Sequence, residues 1–132
     1  MKKRHALLVI AILSSVLFAG PGCSSKSATP QALLEKYFSS AVKQDYATTY
    51  SCYYGAYKAK VDKDEYVKHR KEASVLQSYQ IVSLNQQNGD NAQAEVRLTF
   101  APSEKFKRPE SVTTTVKEDL VKENGDWKIK VW

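Results

Sequence analysis

The chain has 132 residues, 20 of them Lys or Arg against 14 Asp or Glu, giving a net charge of +6 with 26% charged residues. Three of the positive charges, Lys2, Lys3 and Arg4, stand at the N terminus, and without residues 1–22 the balance falls to +3 over 110 residues. That length suits one compact domain and excludes two. The interspersed charges show no interleaving of aromatic and basic residues and give no footing for a nucleic-acid partner.

The basic start leads into an apolar run over residues 6–19, broken by Gly20 and Pro21 before Cys23. The run is too short to span a bilayer, which takes about 20 apolar residues, and it reads instead as a cleaved export signal over residues 1–22. The stretch Phe18-Ala19-Gly20-Pro21-Gly22-Cys23 resembles the lipobox of bacterial lipoproteins, with Gly20 where that pattern usually has a leucine-like residue. The resemblance implies diacylation of the Cys23 thiol and acylation of the new amino terminus, hence an exported protein held to a membrane of the bacterial envelope. In a cell with two membranes, Ser24 after the cysteine resembles the pattern sent to the outer membrane, on its periplasmic face. The alternative is ordinary secretion with a Cys23–Cys52 disulfide, since these are the two cysteines of the chain.

Residues 23–28 are small and polar and read as a tether, with a single domain expected over residues 29–132. Thr29-Pro30 opens a helix, the hydroxyl capping the first amides and the proline fixing φ in the first turn. Leu34, Tyr37, Phe38, Ala41 and Val42 then recur at helical spacing, toward an end near Lys43. Asp45 caps a short second helix with Tyr46, Tyr50 and Tyr53 on one face and Gly55 as its stop. Asp62 with Glu65 reads as a variant capping box for a third helix over residues 63–73, with Tyr66 and Val67 inward.

After Ser74 the pattern changes to strands. Residues 75–87 are rich in β-formers, Asn88-Gly89-Asp90-Asn91 is a turn, and Ala94, Val96, Leu98 and Phe100 alternate with Glu95, Arg97 and Thr99. A charged loop over residues 105–110 precedes a second hairpin, residues 112–123, turning at Asn124-Gly125 and returning through Trp127, Ile129 and Val131. Three helices followed by about four antiparallel strands make an α+β domain, helices packed on one face of a curved sheet.

The aromatic Tyr37-Phe38 of the opening helix, the Lys43-Gln44-Asp45-Tyr46 break and the terminal Asn124-Gly125-Asp126-Trp127-Lys128-Ile129 hairpin resemble the nuclear-transport-factor-2-like (NTF2-like) cone fold. Within it, the nearest resemblance is to small bacterial lipoproteins with such a domain and no assigned activity. The superfamily holds enzymes such as ketosteroid isomerases and scytalone dehydratases beside members that only bind or assemble. The enzymes aim ionisable groups into the cone, whereas the inward rows here, Ala94-Val96-Leu98-Phe100 and Trp127-Ile129-Val131, carry no carboxylate or histidine. The expectation is therefore a binding domain, not an enzyme.

Candidate ligand-binding residues are Tyr50, Tyr54, Tyr57, Tyr66 and Glu118. Six phenols fall in residues 46–66, and such rings suit a small hydrophobic ligand or a partner protein of the envelope. The competing reading is that the Tyr46–Tyr50–Tyr53 stripe is core. Glu118 shares its strand phase with Val116 and Leu120, which would point it into the cone, but carboxylates are seldom buried unless paired, so the preferred reading is that a bulge or slipped register places it outside. His69, in a charged run, reads as solvated. No metal-ligand spacing or cofactor motif is present, and no catalytic residue is assigned.

Overall fold

The structure, a computed structural model, describes residues 26–131. The expected export signal over residues 1–22 and Cys23 lie outside the described residues. Four helices come first, α1 Pro30–Val42, α2 Tyr46–Ser51, α3 Gly55–Lys58 and α4 Lys63–Glu72. Four strands follow, β1 Leu76–Gln86, β2 Asn91–Phe100, β3 Val112–Glu123 and β4 Asp126–Lys130, in an antiparallel sheet of order β1-β2-β3-β4.

The start of α1 is made as its sequence dictates. Thr29 Oγ1 accepts from Ala32 N–H at 3.1 Å, and Pro30 occupies the first turn. Leu33, Leu34, Tyr37, Phe38 and Ala41 point one stripe into the core. Gln44, in the left-handed region with φ 59°, breaks the chain out of α1, and Asp45 caps α2 through Thr48 N–H at 3.1 Å.

Three expectations in this half need correction. Gly55 does not stop the second helix, which ends at Ser51; it opens α3, a fourth helix of one turn. Tyr53 consequently leaves the helical stripe and forms a parallel bridge to Ile129. The reason lies at the edge of β4, where Ile129 N–H donates to Cys52 O at 2.8 Å and Tyr54 N–H donates to Ile129 O at 3.0 Å. Sheet pairing thus outcompetes one more helical turn. At α4, Asp62 caps Asp64 N–H at 2.8 Å, while Glu65 turns to His69 at 3.7 Å and does not complete a reciprocal box.

The sheet follows its alternation closely. Ala92, Ala94, Val96 and Leu98 of β2, Leu120 of β3 and Trp127 and Ile129 of β4 are buried against the helices. Asn124 and Gly125 turn β3 into β4 with φ 53° and 78°, two consecutive left-handed residues that match the twist of a two-residue hairpin. Ser27, within the expected tether, is part of the fold. Its N–H donates to the Asp126 carboxylate, its C=O accepts from Trp127 N–H at 3.1 Å, and it is buried.

Candidate functional site

Helix α1, the 52–54 segment and α4 place three tyrosines, Tyr37, Tyr53 and Tyr66, between the helices and the sheet, each buried. Tyr37 and Tyr53 join hydroxyls at 2.6 Å, with their rings edge to face at 5.6 Å. Tyr66 packs edge to face on Tyr53 at 5.5 Å and donates its hydroxyl to Thr49 Oγ1 at 3.0 Å. Burial, reinforced by the neighbouring phenols, pushes Tyr37 and Tyr53 well above the ordinary tyrosine range, so both stay protonated at any physiological pH and one donates to the other.

The other candidate tyrosines divide sharply. Tyr50 donates to Val61 O at 2.8 Å and Tyr54 to Val131 O at 2.6 Å, so both hydroxyls close the fold on itself. Tyr57, half-buried and 4.4 Å from the Tyr53 ring, has no hydroxyl partner among the described residues. Desolvation raises its pKa, with Tyr66 adding to the effect.

Glu118 sits in β3 directly across from buried Ala94 and in phase with Leu120, and therefore on the helix-facing side. Opposed residues of an antiparallel pair share a face, and alanine opposite leaves room for the longer side chain. No hydrogen bond or ion pair holds its carboxylate among the described residues. Partial burial first, and the adjacent Asp119 second, push its pKa up to about 7. Arg70 of α4 lies 5.7 Å from the Tyr46 ring, its Nε buried with no acceptor among the described residues.

Sequence alone missed Tyr37 and Arg70. Tyr37 was legible as part of an apolar stripe, and nothing in the spacing told that its hydroxyl meets Tyr53. His69 is exposed beside Glu65, as a solvated histidine should be. A separate groove of about 280 Å³ opens between the end of α1 and the start of β1, lined by Ser39, Val42, Lys43, Gln77, Ser78 and Tyr79. It contains none of the candidate residues. Cys52 is a free, buried thiol whose Sγ donates to Thr48 O at 3.4 Å.

No protein-family model matches the chain, and no curated protein matches it in sequence. Among solved structures it is similar to a SEC-C motif containing protein from Rhodopseudomonas palustris, at 15% identity and TM-score 0.64, covering 81% of this chain and 79% of that one. It is also similar to a SEC-C motif containing protein from Psychrobacter arcticus, at 16% identity and TM-score 0.64. That match covers 82% of this chain and 62% of the other, so the chain spans less than two thirds of the Psychrobacter protein. An NTF-2 like protein of unknown function from Shewanella oneidensis MR-1 matches at 14% identity and TM-score 0.49, over 74% of this chain and 88% of that one. The likeness is one of fold, and the α+β architecture expected from the sequence is the one observed.

Proposed function

We propose that this chain is an exported lipoprotein, acylated on Cys23, whose domain acts by binding a ligand or envelope partner and not by turning over a substrate. The observation that weighs against turnover is where the hydroxyls go, with Tyr57 alone of the candidate tyrosines left without a partner among the described residues. Tyr37 and Tyr53 satisfy each other, Tyr66 goes to Thr49, Tyr50 to Val61 and Tyr54 to Val131, so the phenols that look like a catalytic array are engaged in the fold. The anchor rests on the leader and its cysteine, and buried Cys52, 1% exposed, supports it by offering poor access for a disulfide.

The anchor is tested by intact mass and fractionation of the exported protein. Acylation adds hundreds of daltons and membrane retention, at about 0.8 kcal/mol per buried methylene, and Cys23→Ser should release the protein. A mass lower by two hydrogens, with no lipid, would replace this reading by the disulfide-closed secreted form.

A second reading, a cone-fold enzyme on a small hydrophobic substrate, draws on Glu118 and Tyr57. A half-buried carboxyl poised near neutrality is what general acid or base work needs. Turnover of a small carbonyl compound that disappears in Glu118→Gln while the fold persists would favour it over binding alone.

A further inference from the structure

The two edges of the sheet are treated differently. Along β4, residues 52–54 and Ser27 supply backbone partners to Trp127 and Ile129. Strand β1 pairs with β2 alone among the described strands, leaving eleven residues of open edge. Exposed edges are normally blunted by charges, proline or bulges. Residues 73–89 hold no charge and no proline, in a chain that is 26% charged, and bulges are the one such device on this edge.

The strand carries two irregularities, one near its start between Leu76 and Ser78 and one at its middle between Ile81 and Ser83, so a continuous pairing register is available over residues 78–85. Tyr79 and Ile81 oppose Leu98 and Val96, and Leu84 and Gln86 oppose Ala94 and Ala92. The extra residue, Val82, therefore resets the phase, so that Tyr79, Ile81, Leu84 and Gln86 all belong to the helix-facing row. This matters when the strand meets itself. A regular strand folded antiparallel about a point between two residues sets opposite faces against each other. About a two-fold axis between Ile81 and Val82, the phase reset cancels that mismatch. Tyr79 then meets Leu84 of a second copy, both from the helix-facing row, and Gln80 meets Ser83, both from the outer row. Over residues 78–85 the groups that point outward along the edge follow the same phase, so they too come into register.

We propose that β1 pairs antiparallel with β1 of a second copy of this chain about Val82, joining two four-stranded sheets into one of eight. Three further observations fit this occupant. Val82 is 45% exposed and lies beside the axis, opposite Ile81 of the other copy. The groove bounded by Val42, Lys43 and Tyr79 flanks the half-strand where Leu84 of the second copy arrives, and gives that side chain a place to pack. The absence of charge over residues 73–89 means that self-pairing brings no like charges together. Because the β4 edge is already covered, the assembly closes at two chains instead of growing into a fibre. A contact made mainly by one strand stands at the small end of stable interfaces, so monomer and dimer exchange with concentration. The pairing does not depend on the state of Cys23.

Sedimentation of the full-length chain in mild detergent tests the pairing, with the mass expected to pass from one chain to two as concentration rises. Val82→Lys, which sets two like charges at the axis on an exposed side chain, should hold the protein at one chain with an unchanged circular dichroism spectrum. Ser83→Glu, a second exposed position, should do the same. For the register, chains carrying Gln80→Cys mixed with chains carrying Ser83→Cys, both in a Cys23→Ser background, should oxidise to a mixed dimer while neither does so alone. A single-chain mass at all concentrations, a dimer indifferent to Val82→Lys and Ser83→Glu, or Gln80→Cys linking equally well to itself would overturn the proposal.

Discussion

The hydroxyls of Tyr37 and Tyr53, sixteen residues apart in sequence, lie 2.6 Å from one another in the core and tie α1 to the segment that edges β4. Removing one partner leaves the other hydroxyl buried with a lost bond, a cost of about 1–3 kcal/mol, whereas removing both takes away the polar pair together. Tyr37→Phe and Tyr53→Phe should therefore each destabilise, and the double variant should lose clearly less than their sum. Urea unfolding of the four proteins measures the coupling; strict additivity would mean that the two hydroxyls do not support each other.

Glu118 gives the domain a pH dependence with a definite sign. Its pKa rises from an ordinary 4.5 to about 7 on folding, so the folded domain holds the proton more tightly than the unfolded chain. Its contribution to stability is fully present below about 4.5 and is lost as pH rises through about 7. Glu118→Gln should remove this slope and stabilise the domain at pH 8 by about 2 kcal/mol. Each tenfold gain in proton affinity is worth about 1.4 kcal/mol, and partial exposure to water reduces the total. Unfolding curves at pH 5 and pH 8 decide, and parallel behaviour of the two proteins would place the carboxyl in water.

The first turn of α3 has no cap from its own residues, and the carboxylate comes from β3. Glu123 accepts from Gly55 N–H through both oxygens, at 3.2 and 3.0 Å. Glu123→Ala should cost about 1 kcal/mol, the range of a lost N-cap. A Cβ at Gly55 would stand 2.9 Å from Glu123 Oε1, the far end of a flexible side chain. Gly55→Ala should accordingly cost less than Glu123→Ala, a ranking that thermal melts can reverse or uphold.

Burial pushes the Cys52 thiol above its usual range, and the side chain is 1% exposed. In a Cys23→Ser background a thiol reagent should label the native protein only at the rate of its unfolding, then to one equivalent in denaturant. Rapid labelling of the native state would show that the α2 end opens locally.

The strands were the most legible part of the sequence, because a period of two with one buried face leaves little freedom in register. Ala94, Val96 and Leu98, and then Trp127 and Ile129, point inward as their alternation demands. The region between residues 46 and 62 was the least legible. Its helix signals are local, whereas its outcome is set by β4, whose Ile129 captures Cys52 and Tyr54 through backbone bonds that leave no trace in side-chain spacing. The same holds at the candidate site. Glu118 shares its phase with Val116 and Leu120, but the reluctance of a lone carboxylate to be buried argued for an outward position and the structure places it inward; the internal destinations of the tyrosine hydroxyls depend on tertiary distances between elements. Ser27 carried no sequence signal at all, since its role is played by backbone atoms.

That last contact bears on posture. Ser27 is bonded to the start of β4, so four residue steps separate Cys23 from the sheet, a reach of about 14 Å at full extension. An acylated Cys23 would then act as a short hinge pin at the Asn124-Gly125 corner, with the twelve residues of β3 as a mast of roughly 40 Å standing off from it. The far tip is the loop between β2 and β3, where Phe106 is 45% exposed between Lys105 and Arg108. Lengthening the tether would free the mast to tilt, and shortening it past Ser27 would pull on β4 itself.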